Sequence, residues 1–466
     1  MLFNSLSFLV FFPFTCVIYF LIPTLKWRNL FLLCASYFFY MNWEPLYALL
    51  LLSSTLITYF AALGIDYYIN DLKKKKVCLI ISIVLNLTIL FLFKYYNFAA
   101  ENITEFLQYS GLSLKMPNFT FLLPVGISFY TFQALGYSID VYRGNTKVEK
   151  NIFTYSLFVS FFPQLVAGPI ERSNHLLPQF YKLKYFSYEN VMRGIKMMLW
   201  GYFLKLVLAD RCAMYVDAIF GNLEYHNGGS MFISAIFFTL QIYGDFAGYS
   251  LVAIGAAKIM GFDLMENFHR PYLASTIADF WHRWHISLST WFKDYVYIPL
   301  GGNRNGKIRT YCNLMITFLV SGIWHGANWT FLCWGGIHGF FQCVEKFLGW
   351  NKKSWTGYPR FFHWILTFTI VSFAWIFFRA STVSEAFFVI KSIFSNFSFP
   401  MVDSVVFIGV FLALIVLLFK EMKDEFNWKF KIFNSWLFQH TYIVFMIAYI
   451  ILFGVLKGGQ FIYFQF

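Results

Sequence analysis

The chain has 466 residues, 59% of them hydrophobic, 23% aromatic and only 13% charged, with a formal net charge of +13. Soluble globular chains carry about 25% charged residues, so this composition excludes a soluble enzyme and describes a polytopic membrane protein. The surplus of lysine and arginine lies in short loops between apolar runs, which is a signature of membrane orientation and not of nucleic-acid binding.

In chain order, the first apolar run is Leu6–Leu25, followed by Lys26 and Arg28. It lacks the basic leader and small-residue cleavage site of a signal peptide, so it reads as a retained first helix. Leu30–Met41 and Leu46–Ile65 come next, then the string DLKKKK (Asp71 to Lys76) and the run Val77–Phe93. Both basic loops are expected to face the cytoplasm, which puts the N-terminus outside. The middle of the chain is less regular. Phe119–Phe132 is interrupted by Pro124 and Gly126, and Ile152–Ala167, Val191–Leu208, Met231–Met260, Leu314–Trp324 and Trp329–Phe347 are separated by Pro, Gly and polar residues. Phe361–Phe378, Ser404–Phe419 and Tyr442–Leu456 follow, and the loop EMKDEFNWKFK between the last two reads as cytoplasmic, leaving the C-terminus outside as well. A span needs roughly 20 apolar residues, so the shortest runs are expected to be tilted or re-entrant, and the fold to be all-α with about eleven spans plus re-entrant or interfacial helices. No repeat or linker divides residues 1–466, which read as one integral-membrane domain. Residues 119–347 form its motif-bearing core, supported by the helices of 1–93 and 361–466, because backbone that leaves the helix at membrane depth is tolerated only around a cavity or packed protein. The seven cysteines show no CxxC spacing and read as packing residues.

His325 stands in SGIWHGANW, sixteen residues after Arg309 of the basic loop GNRNGKIR. In a continuous helix that separation is a rise of about 24 Å against a hydrocarbon core of about 30 Å, which places the imidazole deep in the membrane. An ionisable residue there either faces a cavity as part of a site or hydrogen-bonds a neighbouring helix. Gly322, Gly326 and Ala327 remove bulk beside it, which suits the approach of a ligand or of another backbone. In ADFWHRWHISLSTWFKDY (Ala278 to Tyr295), Asp279, His282 and His285 recur every three residues and are expected on one face of an amphipathic interfacial helix carrying Trp281, Trp284 and Trp291. The H-x-x-H spacing also suits a metal, but no third or fourth ligand is evident and no metal is expected. Asp245, inside the apolar run IYGDFAGYS, requires a cationic or hydroxyl partner. Glu171 and Arg172 read as cavity-rim or loop residues, and Lys205, Asp210 and Arg211 as ordinary boundary charges. Phosphate-loop, nucleophile-elbow and zincin motifs are absent.

FFPQLVAGPIERSNHLLPQF, QIYGDFAGYS, ENFHRPYLASTIADFWHRWHISLSTWFKDYVYIPLGGNR, FLVSGIWHGANWTFLCWGGIHG and the terminal FIYFQF, in this order, resemble the membrane-bound O-acyltransferase (MBOAT) family. The closest branch is that of the alginate O-acetyltransferase membrane subunit, related to the teichoic acid D-alanyl transferase. The resemblance implies a ring of helices around a tunnel, with the family's catalytic histidine falling on His325 and its second characteristic histidine on His285. It assigns no role to His282. It implies that His325 is the base that activates an acceptor hydroxyl, and that His285 orients the donor or polarises its carbonyl. On the same reading Asn328, one turn from His325, donates to the developing oxyanion, and Trp324, Trp284, Arg283 and Asp245 complete the substrate-binding set.

The implied activity moves an acyl group from a cytoplasmic thioester, acetyl-CoA acting as co-substrate and no resident cofactor being expected, to an exopolysaccharide or cell-wall polymer. The implied partners are a separate extracytoplasmic SGNH-type acyltransferase and membrane lipid, at a bacterial cytoplasmic membrane. Two alternatives stay open: a D-alanyl transferase fed by a carrier-protein thioester, and an exporter of polysaccharide or lipid.

Overall fold

The computed structural model describes residues 1–119, 123–166, 168–353, 355–430, 435–456 and 461–462. Every regular element among them is helical. Six helices are long and apolar enough to cross a membrane: Tyr47–Tyr67, the continuous stretch Leu72–Tyr109, Gly228–Ile259, Gly357–Arg379, Ser404–Glu425 and Trp436–Phe453. Leu6–Leu21 is a shorter apolar helix with Pro13 inside it. The run at Phe119–Phe132 resolves into a helix that begins only at Ile127, after Gly126 at φ 75°, with residues 120–122 outside the described set. Ile152–Ala167 breaks at Phe161 into Ile152–Ser160 and Phe162–Leu165, with residue 167 outside that set.

The described residues cluster into two compact units, Met1–Ile195 with Ala253–Met265 and Lys196–Val252 with Glu266–Phe466. Within the first unit, polar side chains link helices: Ser54 Oγ donates to Asn86 Oδ1 at 2.5 Å, Ser82 and Ser138 pair at 3.2 Å, and Tyr155 donates to Thr58 at 2.7 Å. These are the bonds that small polar residues make between helices where neither water nor apolar contrast drives association. The second unit holds an aromatic core built on Trp284, Trp334 and Trp375, all fully buried. Burial separates the long helices: 83% of the apolar window of Gly228–Ile259 is buried within the protein, against 11% for Trp436–Phe453. The first is an interior helix, and the second presents its side chains outward.

The helices Gly306–His325 and Trp329–Phe347 form a tight hairpin in this unit. A Cβ on Gly322 would lie 2.3 Å from the Phe331 carbonyl oxygen, and one on Gly335 would lie 2.4 Å from the Phe318 carbonyl oxygen. Of the two uses the sequence allows for these small residues, Gly322 serves backbone approach.

The segment around His285 departs from expectation. The single interfacial helix is two seven-residue helices, Ile277–Arg283 and Ile286–Phe292, broken at Trp284 and His285, with His285 in the left-handed region at φ 42°. Asp279, His282 and His285 therefore do not share one helical face. Trp281, Trp284 and Trp291 are buried instead of lying at a headgroup interface. The break is captured by Asn267, whose carbonyl accepts from Ile286 N at 2.9 Å.

Candidate active site

His325 is the last residue of the twenty-residue helix Gly306–His325, so Arg309 and the imidazole lie on one unbroken helix, about 24 Å apart along its axis at 1.5 Å per residue. The imidazole is buried and meets three aromatic rings edge to face: Trp324 and Trp334, each at 4.9 Å between centroids, and Phe378 at 5.4 Å. T-shaped contacts of this kind hold a ring's orientation as well as its position.

His285 is fully buried and meets Trp324 at 6.2 Å and Phe246 at 4.5 Å. Trp324 thus touches both imidazoles. The Oδ1 of Asn267 lies 3.0 Å from His285 Nδ1 and also accepts from Ser287 Oγ at 2.9 Å, while Asn267 Nδ2 donates to Ser250 Oγ at 3.0 Å. An amide oxygen only accepts, so His285 carries its hydrogen on Nδ1 and presents Nε2 as an acceptor. In this tautomer it receives a hydrogen bond or proton and does not polarise a carbonyl. Asn267 and Ser250 lie in the segments ENFHRPY and GYS, and sequence reading gave neither of them a role.

Asn328 does not continue the His325 helix. It is the N-cap of Trp329–Phe347, its Oδ1 accepting from Thr330 N at 3.0 Å and its Nδ2 donating to Ser381 O at 2.8 Å. Both ends of its amide bond to backbone, and these are the contacts of a helix cap. Arg283 is engaged by two carboxylates, Asp279 at 2.8 Å and Glu425 at 3.0 Å. Trp284 is sealed among Tyr243, Phe268, Phe280 and Trp375. Asp245 forms a buried ion pair with Lys205 at 2.6 Å and accepts from Ile462 N at 2.6 Å; Lys205 also pairs with Asp210 at 2.8 Å. Lys205 and Asp210 are therefore not boundary charges, and the partner that Asp245 requires is Lys205. Of the residues assigned to substrate, Trp324 sets its ring against both candidate histidines, and Arg283, Trp284 and Asp245 make structural contacts.

A cavity of about 360 Å³ lies beside this constellation. Exposed Lys293 and Asn303 stand at its mouth, and buried Trp281, Phe318 and Ser321 line its interior. Ser321 is one helical turn before His325. His282 also lines the cavity, so it lies near the site though not on a shared face with His285. No group of three or more His, Cys, Asp or Glu side chains suited to a metal occurs among the described residues.

The MBOAT, membrane-bound O-acyltransferase family model matches residues 148–384, just over half of the chain. A probable alginate O-acetylase, AlgI, of Pseudomonas aeruginosa is 39% identical over 399 residues, covering 85% of this chain and 75% of the relative. A peptidoglycan O-acetyltransferase of Helicobacter pylori is 35% identical over 390 residues, covering 78% and 73%. A teichoic acid D-alanyltransferase of Bacillus subtilis is 29% identical over 248 residues, covering 49% and 60%. Identity sustained across most of both chains, over a helical framework of membrane-spanning length, leads to one conclusion: the chain belongs to the membrane-bound O-acyltransferase family and is an O-acyltransferase.

Proposed function

We propose that this enzyme, set in a bacterial cytoplasmic membrane, takes an acetyl group from cytoplasmic acetyl-CoA and delivers it for ester formation on an extracytoplasmic polysaccharide. The observation that carries the reading is His325, buried in an aromatic box at the far end of a helix that rises from a basic loop. The imidazole removes the proton of an acceptor hydroxyl as the oxygen attacks the thioester carbonyl. The carbon–sulfur bond breaks, and the departing thiolate takes the proton back from the imidazolium. His285, with its acceptor nitrogen fixed by Asn267, steadies a donor N–H or the acceptor hydroxyl.

The cavity supports the donor assignment. Lys293 and Asn303 at its mouth suit phosphate oxygens, and its apolar interior suits a pantetheine arm whose thioester would end near Ser321. Relatives named for alginate and peptidoglycan O-acetylation favour acetyl as the group and a cell-surface polymer as the acceptor. Among the described residues, no connection between helices approaches the roughly 50 residues of a small domain that could hold a polymer. We assign the final transfer to a separate extracytoplasmic SGNH-type acyltransferase.

The test is reconstitution. Purified protein with acetyl-CoA should hydrolyse or hold the acetyl group, and should acetylate polysaccharide efficiently only when such a partner is added. His325→Ala should abolish transfer at an unchanged amount of folded protein. Retained transfer by that variant sinks the base assignment, and efficient polymer acetylation without any partner sinks the relay.

A further inference from the structure

A third histidine, His338 on the helix Trp329–Phe347, is fully buried and belongs to none of the roles above. Its Nδ1 accepts from the indole nitrogen of Trp281 at 3.2 Å. Trp281 lines the cavity interior together with Phe318 and Ser321. It also packs on Trp334 at 5.6 Å, and Trp334 is the ring that touches His325 at 4.9 Å on one side and His338 at 5.0 Å on the other. Phe280 lies parallel to the His338 ring, at 6.0 Å between centroids with an interplanar angle of 7°. One hydrogen bond therefore fixes the cavity wall, and the aromatic series carries that wall to the proposed base.

We propose that His338 is a positioning residue for the acyl donor: by holding the Trp281 indole it sets the shape of the cavity in which the thioester arm lies. The inference rests on the reading of that cavity as the donor site. Without the acceptor nitrogen the indole N–H is buried and unpaired, and the ring swings to find another partner. The donor then binds in a cavity of altered shape, while His325 keeps Trp324, Phe378 and its own chemistry. The effect falls on KM for the donor more than on kcat.

The discriminating variants are His338→Asn, whose Oδ1 stands where Nδ1 stood, and His338→Leu, which removes the acceptor. His338→Leu should raise the KM for acetyl-CoA about tenfold, the equivalent of one buried hydrogen bond, with kcat changed less than about threefold. His338→Asn should restore most of that loss. Trp281→Phe should reproduce the His338→Leu phenotype, and the double variant should be no worse than either single one. Fluorine NMR on protein labelled with 5-fluorotryptophan, the Trp281 line being assigned by its loss in Trp281→Phe, reads the positioning without any activity. That line should move in His338→Leu and stay in His338→Asn. An unmoved line in the leucine variant, or equal kinetics for the asparagine and leucine variants, overturns the proposal. A moved line together with wild-type protein that does not bind acetyl-CoA overturns the donor-site reading and leaves the Trp281 link intact.

Discussion

Lys205 offers the most demanding test of how this protein stores charge. Its ammonium lies 2.8 Å from Asp210 and 2.6 Å from Asp245, and all three side chains are at most 4% exposed. The cluster sets two carboxyl groups on one ammonium. Lys205→Met keeps the stem and deletes the cation, leaving both carboxyl groups buried without it. Removing one partner of a buried pair costs about 3–5 kcal/mol. Asp245→Asn is milder, because Lys205 keeps Asp210 and the new amide oxygen still accepts from Ile462 N. Its cost is that of weakening one charged hydrogen bond, about 1–2 kcal/mol. At about 2 °C per kcal/mol for a unit of this size, Lys205→Met should lower the melting temperature by about 6–10 °C and Asp245→Asn by about 2–4 °C. The assay is thermal unfolding in detergent, followed by fluorescence-detected size-exclusion chromatography. The double variant gives the sharper reading, since Asp245→Asn added to Lys205→Met removes an uncompensated carboxylate and should raise the melting temperature. A double variant that melts below Lys205→Met would refute the ion-pair account.

Glu425 receives Arg270 at 2.9 Å, Arg283 at 3.0 Å and Arg360 at 2.7 Å, so Glu425→Gln should destabilise by about 1–3 kcal/mol, discounted for the partial exposure of the arginines, with Glu425→Asp less harmful in the same melting assay. His175 lies 2.8 Å from the buried Glu171 carboxylate, which holds the imidazole's pKa above its ordinary value. A raised folded-state pKa stabilises fully below about pH 6.5 and ceases to do so as the pH climbs through it, so the melting-temperature gap between wild type and His175→Gln should be widest in mild acid and close in mild alkali. A reporter inserted after Lys76 or within Gly302–Arg309 should read as cytoplasmic and one at Phe466 as external; an external reading at Lys76 would invert the direction of acyl flow.

Much of this was legible because membrane sequences are constrained by composition. The apolar runs gave the all-helical class, and the stretch from Arg309 to His325 is one helix, as its spacing argument required. The need of Asp245 for a cation was legible too, since an isolated carboxylate in an apolar run is too costly to stand alone. Its partner was not legible. Lys205 sits forty residues upstream at the end of an apolar run, where a lysine ordinarily snorkels to the surface. A π-helical stretch, Phe203–Ala209, carries it into the interior, and no residue pattern announces that register change. The break at His285 was hidden for a related reason. Residues spaced by three read as one helical face, and the left-handed turn is imposed by Asn267 from outside the segment. His338 could have been noticed in WGGIHG, but a lone histidine among glycines gives no hint of the tryptophan it holds.

The glycines of the hairpin show how packing and chemistry become one requirement. Gly322 and Gly335 let the helices Gly306–His325 and Trp329–Phe347 meet with backbone against backbone, since each accepts a carbonyl oxygen where a side chain would stand. That approach brings Trp334, the residue before Gly335, against the ring of His325 at the end of the opposite helix. The same close approach carries His338, one turn further on, to the Trp281 indole and so to the cavity wall. A looser hairpin would keep every one of these side chains in the chain and lose their mutual geometry. Small residues beside a deep histidine therefore do not mark empty space for a ligand. They draw the two helices together until Trp334 meets the proposed base on one side and Trp281, in the wall of the proposed donor cavity, on the other.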